Sequence, residues 1–89
     1  MHERSLIDGL VKRIESVVRA AGAERASVVR VRIGALAGIS ADHFREHFES
    51  ETRGTVASGA RLEISVSDAV ADPTAQSILL ESVDVELPT

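Results

Sequence analysis

Two clusters of residues in this chain have the types and spacing for metal chemistry. The first is the start itself, Met1-His2-Glu3. A free α-amine, the amide nitrogen of residue 2 and a ring nitrogen of His2 can close two fused chelate rings on one metal ion. With the amide deprotonated they form a planar set of nitrogen donors, which suits square-planar Ni(II) or Cu(II). A histidine at position 2 of an ordinary chain is simply a solvated terminal residue. The second cluster is His43-Phe44-Arg45-Glu46-His47. It matches the inverted zinc-protease pattern H-x-x-E-H, with His43 and His47 on one helix face and Glu46 as general base. Glu51, one turn further on, is a candidate third ligand. The chain is short for a protease cleft, and histidines bordering an apolar stripe are ordinary surface residues. A weak metal site fits this cluster better than a hydrolase.

A third segment, Gly34-Ala35-Leu36-Ala37-Gly38, lacks the Lys-Ser/Thr of a phosphate-binding loop and the third glycine of a dinucleotide fingerprint. Its glycines are expected to serve a tight turn.

Composition removes several function classes. The chain has 89 residues, enough for one domain of about 5–9 kcal/mol net stability. It has no cysteine, which excludes disulfides, thiolate zinc sites, iron–sulfur clusters and a cysteine nucleophile. Phe44 and Phe48 are its only large aromatic residues, so it offers no stacking platform for single-stranded nucleic acid. The net charge of −4 disfavours binding to nucleic acid phosphates or an anionic membrane. No apolar run reaches bilayer length, and charges at Glu3, Arg4 and Asp8 break up any signal-peptide core. The expected address is the cytoplasm.

The elements that must position these clusters follow from periodicity. Leu6, Leu10, Ile14, Val17, Val18 and Ala21 recur at helical spacing, predicting a helix over about 4–21 closed by Gly22. Val29, Val31 and Ile33 alternate with Arg30 and Arg32, predicting a strand over 27–33 with one buried face. Ser40 and Asp42 open a second helix running to about Arg53 and ending at Gly54, with Phe44 and Phe48 as its packing contact. Residues 61–67 form a second strand, 68–76 a loop around Asp72-Pro73, and 78–87 a third strand. The fold class is α/β (α+β): a two-layer sandwich of order α-β-α-β-β, with a three-stranded mixed sheet and both helices on one face. The first two strands should pair in parallel and the last two as an antiparallel hairpin. Arg30, Arg32, Glu63 and Ser65 should share the solvent face.

Several segments, in one order along the chain, carry a resemblance. Met1-His2-Glu3-Arg4-Ser5-Leu6 matches the pattern M-H-E-x-S-L. Gly22-Ala23-Glu24-Arg25 with the strand after it matches G-A-x-x-V-x-x-V, and residues 33–39 resemble I-G-x-L-S-G-V. Phe44 through Glu49 resembles L-x-F-x-F-E. Gly54-Thr55 and residues 59–64 resemble G-T-x-x-x-G-A-x-L-x-I, and Val83-Asp84-Val85-Glu86 resembles I-E-V-E. Together they resemble the HypA/HybF family of nickel metallochaperones of [NiFe]-hydrogenase maturation.

The resemblance implies Ni(II) bound by the Met1 amine, backbone amides and the His2 ring, with Glu3 contributing its amide or helping at a partner surface. It implies a protein that is not an enzyme. It implies a maturation GTPase of the HypB type as partner, and delivery to the hydrogenase large subunit or to urease. In that family a zinc domain held by two C-x-x-C pairs is inserted between the last two strands. Here that place holds only Ser67–Ser77, so no structural zinc is expected. Residues 1–89 then read as a nickel-binding domain with loop 67–77 in place of the zinc insertion, either a natural short relative or a trimmed chain. Ala37 stands where the family usually has Ser, and Ala41-Asp42 where Pro-Glu is common. The alternative is an interaction module of the same machinery that kept the fold without the cargo.

Overall fold

The computed structural model describes residues 3–89. The elements run α1 (Glu3–Ala20), β1 (Arg25–Ile33), α2 (Ala41–Glu51), β2 (Arg61–Val66) and β3 (Ile78–Glu86). The predicted order holds. α1 buries Ile7, Leu10, Ile14 and Val18, a stripe repeating at three- and four-residue steps. Ile7 belongs to that stripe, whereas Val17 lies about 100° round the helix from Val18 and is left exposed, as is Ala21. Gly22 closes α1 as expected. With φ at +64° it lets the Ala23 amide donate to the Val18 carbonyl and its own amide donate to Arg19, the paired bonds of a Schellman cap.

The sheet has the order β2-β1-β3, with β1 parallel to β2 and antiparallel to β3. The parallel pair is as predicted, but the hairpin of β2 with β3 is not formed. Two-residue turns make hairpins, and the β2–β3 connection spans residues 67–77 instead. Successive strands lie about 4.8 Å apart, so such a loop easily crosses one strand and reaches the far edge of the sheet. It is fastened over the end of β1. The Ser67 amide donates to the Ile33 carbonyl, Gly34 to Ser77 and Leu36 to Ala75. Within the loop the Asp72 carboxylate accepts from the Thr74 amide and hydroxyl, at 2.7 and 2.6 Å. Placing β3 beside β1 also gives α1 a floor. α1 packs over β3 and β1 and against α2, while α2 packs over β2.

Two irregularities in the β1–β3 pairing explain why the apolar pattern changes phase. The register shifts between Ala26 and Val28, and again where Arg30 and Val31 face Ser82 and Leu80. Ser27 and Glu81 are therefore the extra residues of bulges. Each bulge shifts the alternation by one, so Ala26 faces the core with Val29. Likewise Ile78 and Leu80 face it together with Val83 and Val85. β1 accordingly begins at Arg25, two residues before the expected start. Leu87 falls outside β3 and is exposed.

Both helices lie on the face of the sheet that carries Val29, Val31 and Ile33, and one hydrophobic cluster joins these to Ile7, Ile14, Phe44 and Phe48. The opposite face is polar, as predicted. Arg30 sits at its centre and bridges all three strands. Its Nε donates to Glu63 at 2.8 Å, and its Nη atoms donate to Asp84 at 3.0 and 3.2 Å and to Ser82 at 3.2 Å.

Candidate metal centre

α2 starts where the sequence provides a cap. The Ser40 backbone is extended, and its hydroxyl accepts the His43 amide at 3.1 Å. The helix is held to the sheet by Phe44 and Phe48, both fully buried with ring centroids 5.8 Å apart. Arg45 adds a bond from Nη1 to the Leu62 carbonyl at 2.9 Å. α2 ends at Glu51, earlier than Arg53, because the Thr52 side chain turns back to the Phe48 carbonyl at 2.8 Å. Thr52 is the one buried polar residue among the described residues.

This anchoring fixes the rotation of α2. With Phe44 and Phe48 inward, His43 is exposed and His47 half-buried on the adjoining face. Their Nε2 atoms are 2.9 Å apart, their ring centroids are 4.6 Å apart, and the rings are inclined at 64°. The structure thus brings the two predicted histidines together. Glu46, Ser50 and Glu51 line a hollow of about 260 Å³ beside His47. Among the described residues, however, no group of three or more His, Cys, Asp or Glu side chains converges to hold a metal. A catalytic zinc takes three protein ligands and a water, so the hydrolase constellation is incomplete there.

Met1 and His2, the core of the proposed chelate, lie outside the described residues. Glu3 is the first residue of α1. The topology places that start. A short turn (residues 21–24) joins α1 to β1, and α1 packs back on the same sheet, so α1 runs antiparallel to β1. Ser5, Leu6 and Gly9 accordingly lie beside Ile78, which pairs with Ile33 at the far end of β1. α2 joins two parallel strands and is also antiparallel to them. The first turn of α1 and the first turn of α2 therefore share one end of the molecule.

The glycine loop serves packing rather than ligand binding. Gly38 has φ +77° and fits the tight turn. Gly34 has no positive φ; a Cβ there would run into the backbone of Thr74 and Ala75. Sequence reading missed this role, because the close neighbour lies in the β2–β3 loop, far along the chain.

A family model described as "Hydrogenase/urease nickel incorporation, metallochaperone, hypA" matches residues 1–74. The chain belongs to the HypA family. That description is of a metallochaperone and not of an enzyme, and it lends no support to a hydrolase built from His43, Glu46 and His47. Among HypA relatives, the hydrogenase maturation factor HypA of Azotobacter chroococcum is 44% identical over 64 residues, covering 72% of this chain and 57% of that protein. The factor of the same name from Methylocella silvestris is 41% identical over 66 residues, covering 74% and 58%. The chain thus spans little more than half the length of these relatives. The solution structure of the Ni metallochaperone HypA from Helicobacter pylori superposes with a TM-score of 0.82 at 18% identity, covering 99% of this chain and 100% of that one. At that identity the likeness is one of fold, and it agrees with the α-β-α-β-β sandwich.

Proposed function

We propose that this domain carries Ni(II) as cargo for [NiFe]-hydrogenase maturation, binding it through the Met1 amine, backbone amides and the His2 ring. Glu3 supplies its amide or assists at the partner surface. The observation that carries this reading is the span of the family match, which begins at residue 1 and so includes Met1-His2-Glu3. The donor chemistry agrees. An amine, an amide and an imidazole form a set of nitrogens that favours Ni(II) or Cu(II) over Mg(II) or Ca(II). A donor set that leaves a coordination position open suits an ion that must be passed on.

The partners in this reading are a maturation GTPase of the HypB type and the hydrogenase large subunit, with urease as a further destination. Its compartment in this reading is the cytoplasm, where a hydrogenase maturation factor would work. Residues 1–89 act as one nickel domain in which loop 67–77 stands where the family carries its zinc domain. The chain has no cysteine to form a thiolate zinc site.

A calorimetric Ni(II) titration tests the chelate. Protein with an authentic Met1 amine should bind one ion at roughly micromolar strength at this site. His2→Ala and N-terminal acetylation should each abolish that site, since each deletes one nitrogen donor. Affinity should also fall as pH drops through about 6.5, where a histidine of ordinary pKa takes up the proton that blocks ligation. Equal binding by all three proteins, or a flat profile from neutral to acidic pH, rejects the chelate.

A second reading is an interaction module without cargo, in which loop 67–77 in place of the zinc domain leaves the fold for partner binding alone. That reading requires GTPase binding to survive His2→Ala, and native protein to bind no more nickel than N-acetylated His2→Ala protein.

A further inference from the structure

We propose that His43 and His47 bind a metal ion without needing the Met1 amine or the His2 ring, a divalent ion that takes donors at right angles, Ni(II) or Cu(II). The argument is geometric. Two ring nitrogens bound about 2.0 Å from one ion lie about 2.8 Å apart when they subtend a right angle, and about 3.3 Å apart at the tetrahedral angle. The Nε2 atoms of His43 and His47 are 2.9 Å apart. The pair, hydrogen-bonded in the metal-free state, already lies near the spacing of adjacent corners of a square-planar or octahedral site.

The helix sets the spacing, and the fold sets where the pair faces. Phe44 and Phe48 are fully buried and Arg45 is tied to Leu62, so α2 cannot roll about its axis. Histidines four apart on such a helix stay on one face. In the metal-free pair one ring donates its Nε2 proton to the other. Binding needs both Nε2 lone pairs, so the donating ring moves that proton to Nδ1, and a neutral pair releases no net proton. No third His, Cys, Asp or Glu side chain joins them among the described residues. Two imidazoles are enough to hold an exchangeable ion, whose other positions can be filled by water or by a donor on an incoming molecule.

The site is tested where the N-terminal chelate cannot contribute, in N-acetylated protein carrying His2→Ala. Ni(II) titration by calorimetry should still find one ion. His43→Gln or His47→Gln should weaken it roughly tenfold or more, because each removes half of the protein donors. Glutamine is a good helix former, and an unchanged circular dichroism spectrum shows that the helix persists. The same background protein loaded with one equivalent of Cu(II) should show hyperfine coupling to two histidine nitrogens, falling to one in either variant. No bound ion in the background, binding unchanged by both substitutions, or coupling to a single nitrogen overturns the proposal. Because the background lacks the amine and His2, these outcomes do not depend on whether the N-terminal chelate exists.

Discussion

At the scale of single residues, the polar face is organised by one side chain. The Arg30 guanidinium is held charged, first by its bonds to Asp84 and then by Glu63. In return, hydrogen bonding from Arg30 lowers the Asp84 carboxyl below its ordinary 3.8. The group is exposed, so the contribution is small and screened. Its sign is nevertheless fixed. A carboxyl depressed in the folded state stabilises the fold above its unfolded pKa. That contribution is lost as pH falls through the folded value. Carbon-detected NMR should place the Asp84 midpoint below 3.8, and Arg30→Ala should return it toward the ordinary range. A midpoint unmoved by Arg30→Ala would show that the bridge has no thermodynamic weight.

At the scale of elements, the fold depends on the loop that carries the chain from β2 past β1 to β3. Its anchor is the contact of Gly34 with Thr74 and Ala75. Gly34→Ala should cost about 1–3 kcal/mol, because the obstacle is backbone and cannot swing aside. Gly9 is the matched control. It lies within α1 with no atom within 4 Å of a Cβ built on it. Gly9→Ala should therefore stabilise by up to about 1 kcal/mol. Urea unfolding of the two variants checks the pair: the midpoints should move in opposite directions. A Gly34→Ala midpoint equal to that of the parent would contradict the anchoring role given to the loop.

At the scale of the whole molecule, two short helices and three strands share one core, so few side chains carry much of the stability. Phe44 and Phe48 are the largest of the fully buried side chains. Phe48→Ala should cost about 3–5 kcal/mol. A domain of this size has only about 5–9 kcal/mol in total. The variant should show a strongly lowered melting temperature by circular dichroism. Should the α2 histidines also bind metal, their pairing should be lost with the same substitution as α2 loosens. A melting temperature within a few degrees of the parent would mean that α2 is held by something other than its phenylalanines.

The sequence by itself determined the elements. The helical spacing of Leu10, Ile14 and Val18, the alternation of Val29, Val31 and Ile33, the Ser40 cap and the Gly22 stop are local signals, each acting within a few residues. It also determined the parallel β1–β2 pair, since a strand–helix–strand unit has few ways to close. The motif of residues 43–47 placed two histidines on one helix face before any coordinates. Only the tertiary structure decided the sheet order, because an eleven-residue connection constrains no partner and the choice of β1 over β2 is made by what α1 must cover. The bulges at Ser27 and Glu81 left a trace in the sequence, a three-residue step between core positions, that becomes readable once the strands are paired. The role of Gly34 left none, because its neighbour is brought in by the far loop. The facing of the His43–His47 pair is likewise a tertiary fact. Spacing placed the rings on one face, but it took the anchoring of Phe44, Phe48 and Arg45 to fix how that face is turned.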